Sequence, residues 1–384
     1  MSGRRSPANG TDSGFNTALH GLRGIASVMV FAAHLIGGAA RHIYETDVGY
    51  ISAITPWWNF GTFGVEIFFV ISGFVILPSA MRYDIREFAA RRFMRLYPLF
   101  FALSILFIAL NAATDLYPKL NTGQAIVAGL TFTDIFAGTE QLTPNAWSLT
   151  YEVWFYVLTA AGVSVLLRHR SKLAVLLLAV AVGAFVARFP ISLYFVTGLA
   201  IRCLYDRHPS IRTGRHPVLE MLLIVAVIAL GSRGHYEYDW QDFRNPVVPL
   251  LLAATALYFL LAVSAQSLTA KALGRPVFLY LGTVSYSLYL VHPYTYYAVR
   301  GLLDRHGVFT DDIALSMAQF FVLTGVTTLV LTHVVHRTLE RWPYEWVYRQ
   351  AIYRDKGPRR SLRLPWRPVV KPVAPATATR QPLP

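Results

Sequence analysis

The stretch HGLRGIASVMVFAAHLIGG, residues 20–38, is apolar enough for a membrane helix, yet it carries Arg23 and His34. Both side chains are costly in hydrocarbon, and a simple anchor needs neither. They stand eleven positions apart, close to three helical turns. They therefore share one helix face, with His34 about 16 Å beyond Arg23. Three further titratable groups interrupt apolar stretches: Glu66 in GVEIFFVISGF, Glu152 one turn past Ser148 in WSLTYEVWFY, and His292 in SYSLYLVHPY, with Ser285 and Ser287 before it. The span directions derived below put His34, Glu66, Glu152 and His292 at one height. A neutral imidazole can take the proton of a hydroxyl that attacks a thioester carbonyl, with a carboxylate fixing its tautomer. Alternatively, the imidazole itself carries an acyl group transiently. For each of these groups an interhelical hydrogen bond is the plainer role. The segment MRYDIREFAARRFMRLYP adds Arg82, Arg86, Arg91, Arg92 and Arg95. Arg92 and Arg95 lie one turn apart, where guanidinium forks could grip phosphates; ordinary topogenic charge is the other reading.

The elements that must position these groups are membrane helices. Of 384 residues, 54% are hydrophobic and 15% charged, against roughly a quarter charged in a soluble domain. Apolar blocks recur at 19–40, 61–81, 96–114, 146–167, 172–187, 190–205, 217–232, 247–266, 276–298 and 313–335. The expected fold is an all-α integral membrane protein, a bundle of about ten transmembrane helices. The apolar segment 124–137 is short for a crossing and is placed on the outer side. With the N-terminus inside, the outer segments hold Arg41, Lys119, Arg188, Arg233, Arg244, Arg300 and Arg305, and most other basic residues fall inside. That asymmetry predicts both termini in the cytoplasm.

The net charge of +14 sits between apolar blocks and in the C-terminal tail. It points to anionic lipid and not to nucleic acid. The single cysteine, Cys203, excludes an intrachain disulfide and any Cys-based metal site. No segment has the ligand spacing of a zinc site or a glycine-rich phosphate loop. Mostly polar residues precede the first apolar block and His34 interrupts it, which argues against a cleaved signal peptide. The chain divides into a cytoplasmic tail at 1–16, a membrane domain at 17–345 and a basic, proline-rich tail at 346–384 without an apolar period.

Taken together, these motifs resemble the acyltransferase 3 family of multipass bacterial membrane O-acyltransferases. Arg23 and His34 match its R-x10-H signature, and GVEIFFVISGF its second-helix motif with Glu66 at the acidic position. Arg92 and Arg95 match R-x-x-R, WSLTYEVWFY the WSL-x-x-E segment, and SYSLYLVHPY the late S-x-x-L-Y-x-x-H segment. The resemblance covers about residues 17 to 345, with its five motifs in the expected order. It implies ten membrane helices in the bacterial inner membrane and acyl transfer from a cytoplasmic acyl-CoA, most often acetyl-CoA, used as a co-substrate. The implied acceptor is a sugar hydroxyl of an exopolysaccharide, O-antigen or related glycan. It further implies His34 as the catalytic centre and arginines near the donor. Two departures stand out. After the membrane part comes a short basic tail, where some members carry an esterase-like domain. Val153 follows Glu152 where many relatives have a second acidic residue.

The resulting expectation assigns His34, Glu66 and Glu152 to catalysis, and Arg23, Arg92 and Arg95 to the donor phosphates. Ser148, Ser287 and His292 are assigned to the acceptor side. The partners are then the acyl-CoA donor, a glycan or other hydroxyl acceptor and the lipid bilayer, and a homo-oligomer is compatible with the sequence. Two alternatives stay open: a proton-coupled transporter, since buried Arg, His and Glu also build proton relays, and a lipid-linked or secondary-metabolite hydroxyl as the acceptor.

Overall fold

The computed structural model describes residues 16–143, 145–169 and 171–349. Most of the two expected tails lies outside that range. Every regular element among the described residues is helical. The first half comprises α1 (Thr17–His42), α2 (Val48–Thr62), α3 (Gly64–Arg82), α4 (Ile85–Thr114), α5 (Gly123–Leu130), α6 (Asp134–Ala137), α7 (Trp147–Val163) and α8 (Lys172–Arg188). The second comprises α9 (Leu193–Arg207), α10 (Pro209–Thr213), α11 (Pro217–Gly231), α12 (Val247–Ala262), α13 (Leu268–Leu273), α14 (Pro276–Arg305), α15 (Ile313–Val335) and α16 (Trp342–Arg349).

The starts follow from capping chemistry. The Asn16 side chain accepts the Leu19 N–H at 3.1 Å, and its amide donates to the Val263 carbonyl at 2.8 Å. One residue thus begins α1 and fastens it to the end of α12. Asp47 and Asp84 cap α2 and α4 in the same way.

Among the described residues five helices are long and apolar enough to cross a membrane: Thr17–His42, Val48–Arg82, Ile85–Thr114, Trp147–Leu167 and Ile313–Trp346. Lys172–Arg188 and Pro190–Arg207 qualify only as a pair and are bent by 114° at their junction. Length and apolarity therefore support five or six of the ten expected crossings. Helices α11 and α12 have 15 and 16 residues, about 24 Å, which is less than the roughly 30 Å of a hydrocarbon core. Helix α14 has 30 residues, but its tyrosines, serines, His292 and Arg300 lower its apolarity. The 124–137 segment forms α5 and α6, of 8 and 4 residues, too short to cross. The stretch after α1, expected to be a connection, is the helix α2, which runs almost directly into α3.

The helices that carry the polar groups have a definite register. Helices α1 and α14 run parallel: His20 Nε2 lies 3.0 Å from the Leu279 carbonyl, Gly24 faces Gly282, and His34 meets His292. A Cβ at Gly282 would collide with the carbonyl oxygen of His20, so the two backbones touch because neither side has a side chain there. Helix α4 shares this direction: the Tyr286 hydroxyl donates to the Leu96 carbonyl at 2.6 Å, and that of Tyr294 to Leu103 at 2.8 Å. Helices α3, α7 and α9 run the other way. Phe69 stacks on Phe195 at 4.1 Å, and Ser72 reaches Glu152 at 2.6 Å.

Gly282→Leu is expected to cost about 3 kcal/mol, because a backbone carbonyl cannot swing aside as a side chain can. The readout is a lower thermal midpoint and a smaller monodisperse fraction in detergent.

Candidate active site

The site can be built from one proline. Pro293 has no N–H, so the Tyr289 carbonyl four residues earlier loses its helical partner. Asn145, just before α7, supplies a replacement: its Nδ2 donates to that carbonyl at 2.7 Å and to His292 Nε2 at 3.1 Å. His292 Nδ1 in turn lies 3.1 Å from the Leu288 carbonyl. A carbonyl can only accept, so this ring carries its proton on Nδ1 and offers Nε2 as an acceptor. His34 Nδ1 stands 2.8 Å from the Val30 carbonyl and 3.3 Å from His292 Nε2. The same rule assigns the His34 proton to Nδ1, shared between two acceptors. Nε2 of His34 is left with a lone pair and no hydrogen bond among the described residues.

His34 is exposed, and the surface it occupies is the wall of a cavity of about 640 Å³. His292 behind it is fully buried, at 0% exposure. The support for Asn145 comes from below: the Tyr289 hydroxyl donates to the Asn145 carbonyl at 2.8 Å, and Ser148 Oγ joins that hydroxyl at 2.8 Å. The cavity also holds two buried polar atoms, Glu66 Oε2 and Asn145 Oδ1, with no hydrogen-bond partner among the described residues. Aromatic rings of Trp58, Trp147, Tyr151 and Tyr297 form much of the remaining wall. His235 stacks on Trp58 at 5.8 Å with 7° between the planes. Burial lowers its pKa below the ordinary imidazole value, which favours the neutral ring.

The expected single polar layer divides into two. Glu66 faces the cavity but makes no hydrogen bond to His34; the groups that touch His34 are the Val30 carbonyl and His292. Glu152 lies deeper, accepting from Ser72 at 2.6 Å and from the Tyr156 hydroxyl. The Arg92 guanidinium lies over the Tyr156 ring at 5.1 Å, and Arg23 is within electrostatic reach of Arg95, Glu152 and Glu340. Ser287 joins this second cluster rather than the cavity, donating to Glu340 at 2.6 Å. Glu340 also meets His336 Nδ1 at 2.8 Å, within a π-helical turn spanning His336–Arg341. Such turns recur at functional sites.

Sequence motifs did not single out Asn145, Glu340, His336 or Arg41. A signal for Asn145 did exist, since a proline four residues after Tyr289 announces an unpaired carbonyl that something polar must meet. Glu340 carried none, because only the π-turn aims it at Ser287. Among the described residues no group of three His, Cys, Asp or Glu side chains could hold a metal ion.

The acyltransferase domain family matches residues 16–336. The chain belongs to the acyltransferase 3 family. This acyltransferase is 27% identical over 259 residues to the exopolysaccharide production protein ExoZ of Rhizobium meliloti, covering 62% of this chain and 77% of that protein. It is 31% identical over 150 residues to the acyltransferase MdmB of Streptomyces mycarofaciens, covering 36% of this chain and 37% of the other. No solved structure matches. Family membership makes the protein a membrane acyltransferase and sets the transporter reading aside.

Asn145→Leu is expected to destabilise the acyltransferase by about 2 kcal/mol, the cost of a buried carbonyl and ring nitrogen left unpaired. Adding Pro293→Ala restores an N–H toward the Tyr289 carbonyl and should recover part of that loss. Thermal unfolding of the single and double variants checks both statements.

Proposed function

We propose that this enzyme is an O-acetyltransferase of the bacterial inner membrane, moving an acetyl group from cytoplasmic acetyl-CoA to a sugar hydroxyl of an exopolysaccharide or related glycan. The observation that carries the reading is the His34 imidazole, with Nδ1–H tied to a backbone carbonyl and Nε2 unbonded on the wall of a cavity. A base must keep one nitrogen free and the other satisfied, and this ring does both without a carboxylate.

In the proposed reaction, His34 Nε2 takes the proton of the acceptor hydroxyl as its oxygen attacks the thioester carbonyl. The carbon–sulfur bond breaks, and the departing thiolate receives that proton. Arg23, about 16 Å from His34 along α1, holds the donor's phosphates together with Arg92 and Arg95 of α4. The slim pantetheine arm reaches His34 between α1, α3, α7 and α14. The acceptor enters from the opposite end, where ring faces pack against the apolar face of a sugar and the unpartnered oxygens meet its hydroxyls. The relation to an exopolysaccharide production protein supports a glycan acceptor.

The parallel course of α1 and α14 supports the orientation. Both leave the arginine-rich end, and the distribution of basic residues supports a cytoplasmic location for that end. The proposal counts ten crossings, with α8, α9, α11 and α12 as short spans and both termini inside. Reporter fusions to each terminus should score as cytoplasmic.

His34→Ala is expected to lower acetyl incorporation into glycan by membranes at least about 100-fold at normal protein level. Full retention of activity defeats the mechanism. Arg92→Ala and Arg95→Ala should raise KM for acetyl-CoA several-fold with a smaller change in kcat, which initial-rate kinetics will show.

A further inference from the structure

The geometry points to a second subsite at the mouth of the cavity that binds an anionic group of the acceptor, a carboxylate or a phosphate, through Arg41. This inference rests on the glycan reading above and deepens it. Arg41 lies seven residues beyond His34 on α1, two turns along the same face and about 10 Å away. It lines the same cavity and is exposed there.

Among the described residues Arg41 forms no ion pair with any carboxylate, and its guanidinium is held over the Trp58 ring at 5.0 Å. A cation fixed on an aromatic face, with its donor edge unsatisfied, is preorganised for an incoming anion. Arg300 adds a second positive charge at this end, lying over the Tyr296 and Tyr297 rings at 5.6 and 5.4 Å. Both rings belong to the cavity wall. The charged groups acting on His42 and His235 in this region are Arg41, Arg300, Glu45, Glu237 and Asp242. Burial favours the neutral form of His235, as described above. Glu237, on the loop after α11, lines the same cavity as His235.

The spacing sets the register of the substrate. A charge bound at Arg41 places the hydroxyl presented to His34 about 10 Å away, roughly two linked pyranose rings. The acetylated sugar is then a near neighbour of the charged one in the chain, and is not itself the charged sugar.

The test uses the full-length protein in nanodiscs and three oligosaccharides of one backbone: one bearing a uronic acid, one bearing a phosphodiester, and the carboxyl-reduced neutral form. Transfer from acetyl-CoA is expected to favour an anionic acceptor at least about tenfold in kcat/KM over the neutral one. Arg41→Gln should bring that ratio close to one, and Arg41→Lys should keep part of it. Which of the two anionic probes is preferred identifies the group. Binding of the same probes to the His34→Ala variant provides a readout free of turnover. Anion preference in binding without transfer leaves the subsite standing and counts against the proposed chemistry. No preference for either anion in binding, or a preference that survives Arg41→Gln, overturns the subsite.

Discussion

Backbone contact between α1 and α14 at Gly24 and Gly282 governs the geometry of the whole site. Because no side chain separates the two helices there, their axes lie close enough for a ring on one to bond a ring on the other ten residues further along. Widening the contact would separate His34 from His292 and free both rings to turn. Membrane helices have little hydrophobic drive to associate, so small residues and polar bonds must supply the precision. The histidine pair, the Asn145 brace and the Tyr289–Ser148 support then build on that alignment, each bond relying on the previous one.

The two polar clusters do different kinds of work, and the fold keeps them apart. Around His34 the partners are neutral: a carbonyl, an imidazole and an amide. Around Arg23 they are charged, with Glu152 and Glu340 among the arginines. Burying charge is costly unless it is compensated, and at the arginine end Glu152 and Glu340 lie within electrostatic reach of Arg23. At the cavity Glu66 is the exception, with one oxygen unpartnered in a place where an entering molecule could satisfy it.

Much of this was legible in the residues themselves. Three-turn spacing put Arg23 and His34 on one face, and the apolar blocks announced an all-helical chain. The order of five motifs announced the family. What the sequence could not yield was depth: Glu152 was expected at the level of His34 and Ser287 on the acceptor side, but both lie with the arginines, because helix start positions were known only to a few residues and a slip of one turn moves a side chain by about 5 Å. Partner choice was equally hidden. A carboxylate was the natural companion for a catalytic imidazole, yet the structure uses a carbonyl of the same helix, a bond no spacing rule would distinguish from ordinary helical geometry. The α8 to α12 region was the least readable, since helices of 15 to 17 residues fall between the lengths of buried and spanning segments.

The α2–α3 rod has a consequence for how a polymer could be served. At 35 residues it measures about 52 Å, some 20 Å more than a hydrocarbon core. In the proposed orientation the end that carries Trp57 and Trp58 is the outer one, and the excess length there forms a raised rim on one side of the cavity that Trp58 lines. A long hydrated chain could slide past such a parapet and dip a single ring inward, without any of its length having to leave water.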